Sequence, residues 1–148
     1  MGQRKMSKIP NNALILASLL GALLALSNPP HAQAPCEKLL PGKIRPCEGS
    51  DFCGVWGEAK WDGILPHCLA VEGSPGKLRA IYAHGRAAKW HIHSPGWSRV
   101  KAKETDGMLK MKLGNGARVE YELIDGQLNG YYYRDGWGGS IVMERVSN

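Results

Sequence analysis

The chain has 148 residues, with 19 Lys and Arg against 13 Asp and Glu. Arg4, Lys5 and Lys8 are the only charged residues among the first 34, so 16 basic and 13 acidic side chains remain after them. This near balance, with Lys and Arg alternating with Glu along the predicted strands, is typical of a solvated surface rather than of a nucleic-acid footprint, so we expect no nucleic-acid partner. The remainder is long enough for one domain with a core of ordinary size.

Residues 1–34 have the organisation of a secretory signal. Their basic start precedes an apolar run from Ala13 to Leu26, and Ala32-Gln33-Ala34 forms a cleavage site of the A-x-A type. Ala25-Leu26-Ser27 is a second possible site. The run is too short and wrongly flanked for a membrane span, so we expect an exported protein, secreted or bacterial and periplasmic, with no stable membrane span in the mature chain.

Residues 35–52 contain several prolines and glycines and lack strand alternation, which predicts an irregular arm. All four cysteines lie in the first third of the mature chain, and an exported chain with an even number of them predicts two disulfides. Three pairings remain open. A zinc site is disfavoured because no C-x-x-C pair occurs among Cys36, Cys47, Cys53 and Cys68.

Residues 53–148 consist of short alternating runs of apolar and polar residues, separated by dipeptides that suit tight hairpin turns. Such a pattern predicts an all-β fold, an eight-stranded antiparallel up-and-down meander. A meander has two bare edges, and closure into a barrel removes them. The five turn dipeptides are Asp62-Gly63, Asp106-Gly107, Asn115-Gly116, Asp125-Gly126 and Asp135-Gly136.

The faces of neighbouring strands fix the register, because a slip of one residue would turn every apolar side chain outward. A two-residue turn at Asp106-Gly107 sets Ala102 opposite Met111, and the turn at Asp125-Gly126 sets Tyr121 opposite Gly130. Continuing this pairing puts Tyr132 opposite Ile141 and Glu58 opposite His67. The residues predicted to face inward are Val100, Leu109, Met111, Val119, Leu123, Leu128, Tyr132 and Met143.

The same arithmetic places Trp56 and Arg145 inward near one end of the barrel, in structural roles. Gly54-Val55-Trp56 and Arg145 resemble the lipocalin and avidin group of barrels, in which a Gly-x-Trp on the first strand packs against a basic residue of the last. The resemblance implies a barrel and assigns no ligand. Bacterial periplasmic metalloprotease inhibitors resemble the chain in size, export and barrel form, with an N-terminal arm that enters the protease.

Alternate connections of an up-and-down barrel share one end. One end therefore gathers four of the five tryptophans, and the other end has no aromatic residue. An aromatic mouth of this kind predicts contact with a ligand, although the tryptophans would also serve as a plug that forms a second small core. The predicted ligand-binding residues are Trp61, Trp90, His91, His93, Trp97, Arg134 and Trp137.

Histidines near this mouth offer a metal site. His91 and His93 lie on one face if their segment is extended, roughly 6.5–7 Å apart. The candidate ligands are His91, His93, His84, His67 and Glu58, and scattered exposed histidines are the interpretation that we prefer. No motif for an activated nucleophile, a phosphate loop or a carboxylate pair occurs, so we expect no catalytic residue and no cofactor.

We therefore expect a small binding protein rather than an enzyme. Its ligand would be a glycan or an apolar small molecule, with Arg134, Asp135 and Asn115 as hydrogen-bonding groups for a glycan. Because Tyr121 and Tyr132 both face inward, we expect a mostly filled barrel and a shallow site. The alternatives are a protease inhibitor or other protein-binding module, and a metal-dependent enzyme that uses the histidines.

Overall fold

The computed structural model describes residues 36–148, so the predicted signal and Pro35 lie outside the described residues. Eight antiparallel strands close into a barrel in which each strand pairs with its chain neighbours and β8 returns to β1, as predicted. A short helix, α1 (Cys36–Leu39), precedes them. The strands are β1 (Gly54–Trp61), β2 (Leu65–Glu72), β3 (Arg79–His84), β4 (Gly96–Thr105), β5 (Met108–Lys112), β6 (Arg118–Ile124), β7 (Gln127–Arg134) and β8 (Trp137–Ser147).

The Asp-Gly pairs make the turns that their chemistry favours. In all four pairs both residues have positive φ, 48–55° for the aspartates and 70–79° for the glycines. This conformation matches the twist of two antiparallel strands, so it supports tight hairpins. The predicted pairings of Ala102 with Met111 and of Tyr121 with Gly130 are confirmed. A Cβ atom at Gly130 would lie 2.7 Å from the Tyr121 ring, so this site requires glycine.

Two of the predicted pairings are wrong. Tyr132 lies opposite Gly139 rather than Ile141, because Asp135-Gly136 is a two-residue turn and not a longer loop. Glu58 does not face His67. The register of β1 shifts between Trp56 and Ala59, Glu58 adopts a φ of 58° at this irregularity, and Ala59 takes the place opposite His67. The error along β8 is two residues, so the same side chains of β8 face inward as predicted. The Glu58 side chain, by contrast, is exposed.

The inward face of the barrel forms the main hydrophobic core. Five of the eight residues predicted to face inward are buried, and Val100, Leu123 and Tyr132 are half-buried against them. None of the helices between residues 36 and 148 is long and apolar enough to cross a bilayer.

The arm covers part of the outer wall and forms a second apolar cluster. Leu39 and Leu40 are buried beside Ala70 of β2 and Ile81 and Ala83 of β3. Both predicted disulfides are present, and their pairing is Cys36–Cys68 and Cys47–Cys53. The first of them joins α1 to β2. Two disulfides indicate a compartment outside the reducing cytosol.

A buried carboxylate fixes the arm on the same side. Glu72 accepts hydrogen bonds from the backbone N–H of Arg45 at 2.8 Å and from the Arg99 Nε at 2.9 Å. Burial opposes ionisation of Glu72, but these hydrogen bonds and the charges of Arg99 and Arg45 outweigh it and lower its pKa. Glu72 is therefore ionised. It links the backbone of the arm at Arg45 to β2 and, through Arg99, to β4.

The predicted contact between Trp56 and Arg145 is present where β1 meets β8. The guanidinium carbon of Arg145 lies 4.1 Å from the centroid of the Trp56 ring, and its nitrogens donate to the carbonyl oxygens of Asp51 and Cys53. Gly54 has a φ of 115°, and a Cβ atom there would meet the Ser147 oxygen at 2.6 Å. Only glycine suits this position, because both the backbone conformation and the close approach exclude a side chain.

Candidate functional site

Three of the predicted mouth tryptophans form one aromatic chain at the end where β1–β2, β3–β4, β5–β6 and β7–β8 connect. Trp90 and Trp137 meet edge to face with ring centroids 5.2 Å apart, and Trp137 lies 5.4 Å from Tyr132. Tyr132 in turn lies 6.0 Å from Trp61. These distances and angles suit favourable aromatic pairs. The chain of rings therefore runs from the surface into the barrel.

The exposure of these rings increases from Trp61 through Trp90 to Trp137. Trp61 is 1% exposed and belongs to the core, Trp90 is half-buried, and Trp137 is 46% exposed. The plug and the ligand interpretations thus apply to different tryptophans. Trp61 fills the barrel, whereas Trp137 is supported from behind by two rings and keeps an accessible surface.

Trp97 does not join this group. The β4 strand begins at Gly96, one residue before it, and Trp97 lies opposite Ala83, whose side chain belongs to the outer cluster under the arm. Trp97 therefore points outward from the wall. It is 50% exposed, and the Arg99 guanidinium lies 5.8 Å from its ring centroid.

A shallow groove runs along the rim beside Trp137. The three-residue loop of Asn115 forms one side, and Tyr133, Arg134 and Asp135 form the other. The Asn115 side chain accepts a hydrogen bond from the Ala117 N–H and donates one to the Tyr132 hydroxyl at 3.2 Å. Arg134 and Asp135 form an exposed ion pair at 3.2 Å. The groove thus combines an accessible ring with an amide, a guanidinium and a carboxylate.

The candidate metal ligands do not form one site, although His67 and His84 lie opposite each other on β2 and β3. His91 and His93 are exposed in the β3–β4 connection, and the αL conformation of His91 ends the short 3₁₀ helix Ala88–Trp90. His84 is half-buried and its Nδ1 contacts the Gly85 oxygen at 3.0 Å. Glu58 is exposed on β1. Within residues 36–148 no three His, Cys, Asp or Glu side chains come together as a metal-binding group.

His67 is the most unusual titratable residue of the barrel. Its Nδ1 lies 2.7 Å from the Ala83 oxygen, and its Nε2 lies 2.7 Å from the Tyr121 hydroxyl. A carbonyl oxygen can only accept, so Nδ1 carries the proton and Nε2 accepts from Tyr121. Burial lowers the pKa of His67 to about 3, so the imidazole is neutral at ordinary pH.

Tyrosines surround this imidazole. The ring of Tyr82 lies 4.3 Å from the His67 ring, and burial raises the pKa of both Tyr82 and Tyr121. The indole N–H of Trp61 is buried here without a well-aligned acceptor within residues 36–148, and its approach to the Tyr82 hydroxyl opposes part of the rise in the pKa of Tyr82. Sequence reasoning missed this buried polar cluster of Trp61, His67, Tyr82 and Tyr121. The alternation of Ala80, Tyr82 and His84 in β3 was the available signal.

The cluster fills the mouth end of the barrel, so the described structure favours the shallow rim groove over an internal cavity. Comparison with known proteins adds no assignment: no protein family, curated protein or solved structure matches the chain. The fold itself is an eight-stranded antiparallel barrel, which is compatible with a lipocalin-like architecture. Any function is therefore argued from the residues of the groove.

Proposed function

We propose that this chain is an exported binding protein that contacts a glycan in the rim groove. The observation that carries the proposal is the placement of Trp137, which is almost half exposed, held edge to face by Trp90, and adjacent to Asn115, Arg134 and Asp135. A sugar ring has an apolar face that stacks on an aromatic ring and hydroxyl groups that require polar partners. The groove offers both in one place.

Two further observations support a glycan over an apolar ligand. Trp61, Tyr121 and Leu128 are fully buried inside the barrel, which leaves little room for a lipid chain among the described residues. The exposed groups beside Trp137 are charged or amide groups, which suit hydroxyls better than hydrocarbon. The two disulfides support export. The compartment would be the periplasm if the source is bacterial. A lipocalin-like character belongs to the same proposal.

A protein-binding role through the arm receives less support. The arm of a protease inhibitor has to leave its barrel in order to enter the protease. Here Cys36 is bonded to Cys68, Leu39 and Leu40 are buried, and Glu72 holds the backbone of Arg45. Moving this segment would break a disulfide and expose apolar surface.

Two equally exposed tryptophans make a matched test. We expect Trp137→Ala to weaken binding of neutral oligosaccharides by about 1–3 kcal/mol, the usual loss for an aromatic contact. Trp97→Ala, on the outer wall, should leave the affinity unchanged. Isothermal titration against a panel of neutral oligosaccharides, with lipid and protease panels and a chelator in parallel, measures both variants.

The proposal fails if no oligosaccharide binds, or if the two substitutions weaken binding equally. Tight binding of a protease or a lipid would favour the alternative classes, and loss of binding on chelation would return the metal-dependent hypothesis.

A further inference from the structure

The outer wall formed by β3, β4, β5 and β6 carries an unusual arrangement of cations. The observed register sets like charges directly opposite each other on neighbouring strands, where Cβ atoms are about 4.5–5.5 Å apart. Five of these six side chains are exposed and Lys110 is half-buried. The three opposing pairs are Arg79 with Lys101, Lys103 with Lys110, and Lys112 with Arg118.

Nearby acidic groups do not balance these charges. The groove along this wall is lined by seven Lys and Arg, the six above and Lys77, against three acidic residues. Glu120 lies opposite Lys110, Glu104 accepts a hydrogen bond from Ser50, and Asp106 is in a turn. Glu72 lies opposite Arg79 in the register but pairs with Arg99 at the edge of this wall, and Arg134 pairs with Asp135 at the rim, so the salt bridges within residues 36–148 include none of the six cations.

Directly opposed like charges destabilise a sheet, whereas an alternation of opposite charges would have stabilised it. The chain makes such a pair at the edge of the wall, where Arg99 of β4 is neutralised by the buried Glu72. The basic wall therefore carries a repulsion that an anionic partner would relieve. Binding of a polyanion couples to this repulsion because each neutralised cation also lowers the energy of its neighbour across the strands.

We propose that this basic wall binds a linear acidic polysaccharide. The large apolar side chains that are exposed among the described residues lie elsewhere, at Ile44, Trp97, Ile124, Tyr133, Trp137, Val142 and Val146. A bilayer surface is therefore disfavoured, because peripheral membrane binding normally adds apolar insertion to charge. We choose an acidic polysaccharide over nucleic acid because the disulfides indicate a compartment outside the reducing cytosol.

The proposal is independent of the rim groove. Arg118 lines both grooves, so it is left unchanged in the test. The probe is dextran sulfate, with uncharged dextran as its reference, and binding is measured by isothermal titration at about 50 and 200 mM salt. We expect the protein to bind dextran sulfate and not uncharged dextran. The affinity should fall at least about tenfold at the higher salt concentration, because charge contacts release counterions.

The double substitution Lys103→Glu and Lys112→Glu converts two repulsive pairs into attractive ones. We expect it to weaken dextran sulfate binding at least about tenfold. At the same time it should raise the thermal unfolding midpoint, because Lys110 and Arg118 gain opposite charges across the strands. An unfolded variant cannot give this pair of results. Lys60→Glu, an exposed lysine on β1 across the barrel, is the matched control and should leave both quantities nearly unchanged.

The proposal is overturned if the double variant binds as tightly as the parent, if Lys60→Glu weakens binding equally, or if binding is insensitive to salt. Tighter binding of single-stranded polyuridylate or of phosphatidylglycerol vesicles than of dextran sulfate would also reject the polysaccharide. Trp137→Ala should not change dextran sulfate binding, so failure of the rim groove and failure of the basic wall give different results.

Discussion

Each end of the barrel interior holds a buried tryptophan, and the indole N–H groups of the two differ in their hydrogen bonding. The indole N–H of Trp56 donates to the Phe52 oxygen at 2.9 Å, and the Arg145 guanidinium covers its ring. The indole N–H of Trp61 at the mouth has no well-aligned acceptor within the described residues, although it approaches the Tyr82 hydroxyl closely enough to oppose part of the rise in its pKa. Both indoles are almost completely buried.

The difference teaches where stability resides. A buried N–H with a well-aligned acceptor contributes about 0.5–1.5 kcal/mol, and one with poor geometry contributes less. The Trp56 end, where the Arg145 guanidinium also covers the ring, is the structural base of the barrel. The mouth end combines buried groups that must stay uncharged with the exposed ring of Trp137.

Substitution of Trp56 at the structural base should have the largest effect on stability. Trp56→Ala should lower the free energy of unfolding by about 3–5 kcal/mol, because it deletes a large buried ring and leaves a cavity. Trp137→Ala, at the exposed mouth, should lower it by less than about 1 kcal/mol. Urea unfolding followed by circular dichroism measures both. An unchanged midpoint for Trp56→Ala would contradict its structural role.

Acid should weaken the mouth end through His67. Below pH 6.5 the unfolded chain binds a proton at this imidazole, whereas the folded protein excludes it until about pH 3. Stability should therefore fall as the pH decreases through this window, by up to about 1.4 kcal/mol per pH unit. Glu72 acts in the same direction, since its lowered pKa gives a stability that is lost as the carboxylate becomes protonated.

The variant His67→Gln separates the two groups. It should flatten the dependence of the unfolding free energy on pH between about pH 4 and 6, because glutamine does not titrate. Urea titrations at several pH values compare its slope with that of the parent, whatever the absolute stability of the variant. An identical slope would show that His67 is not the group that titrates.

The hydrogen bond to His67 gives a smaller change. Tyr121→Phe deletes the hydroxyl that donates to Nε2 and leaves this nitrogen without its partner. We expect a loss of about 1–3 kcal/mol, the cost of one buried unsatisfied group. Tyr133→Phe, on an exposed tyrosine, should have no effect on thermal or urea unfolding. Equal losses from both substitutions would argue against the internal hydrogen bond.

The cover over Trp56 should contribute least. Arg145→Met removes the cation above the ring and two donors to the carbonyls of Asp51 and Cys53, for an expected loss of about 1–2 kcal/mol. Arg134→Met removes only an exposed ion pair and should cost less than about 0.5 kcal/mol. A midpoint shift no larger for Arg145→Met than for Arg134→Met would mean that Arg145 adds no stability by covering the Trp56 ring.

Much of this fold was predictable because local turn chemistry and alternation agree with each other. The Asp-Gly pairs fix the hairpins, and the need to keep Met111, Val119 and Tyr121 on one face fixes the register across β5 and β6. The register predicted that Trp56 and Arg145 share a face and an end, although the pairing of β7 with β8 was wrong by two residues. Their contact was predicted from the resemblance to lipocalin and avidin barrels.

What escaped prediction depends on local irregularity or on three-dimensional paths. The shift of β1 at Glu58 requires positive φ at a residue type that rarely adopts it, so no sequence signal announces it. The disulfide pairing depends on how the arm crosses β2. Trp97 was placed at the mouth because the β3–β4 connection was taken as longer than it is, and its outward direction follows from its place on β4.

The pairing of β1 with β8 has a consequence for folding. These are the first and last strands of the barrel, so their pairing is a contact of high sequence separation. Until it forms, the sheet keeps two open edges and Trp56 lacks its cover. Closure joins segments that are distant along the chain, which makes folding slow and places the most aggregation-prone stage before the final strand is complete.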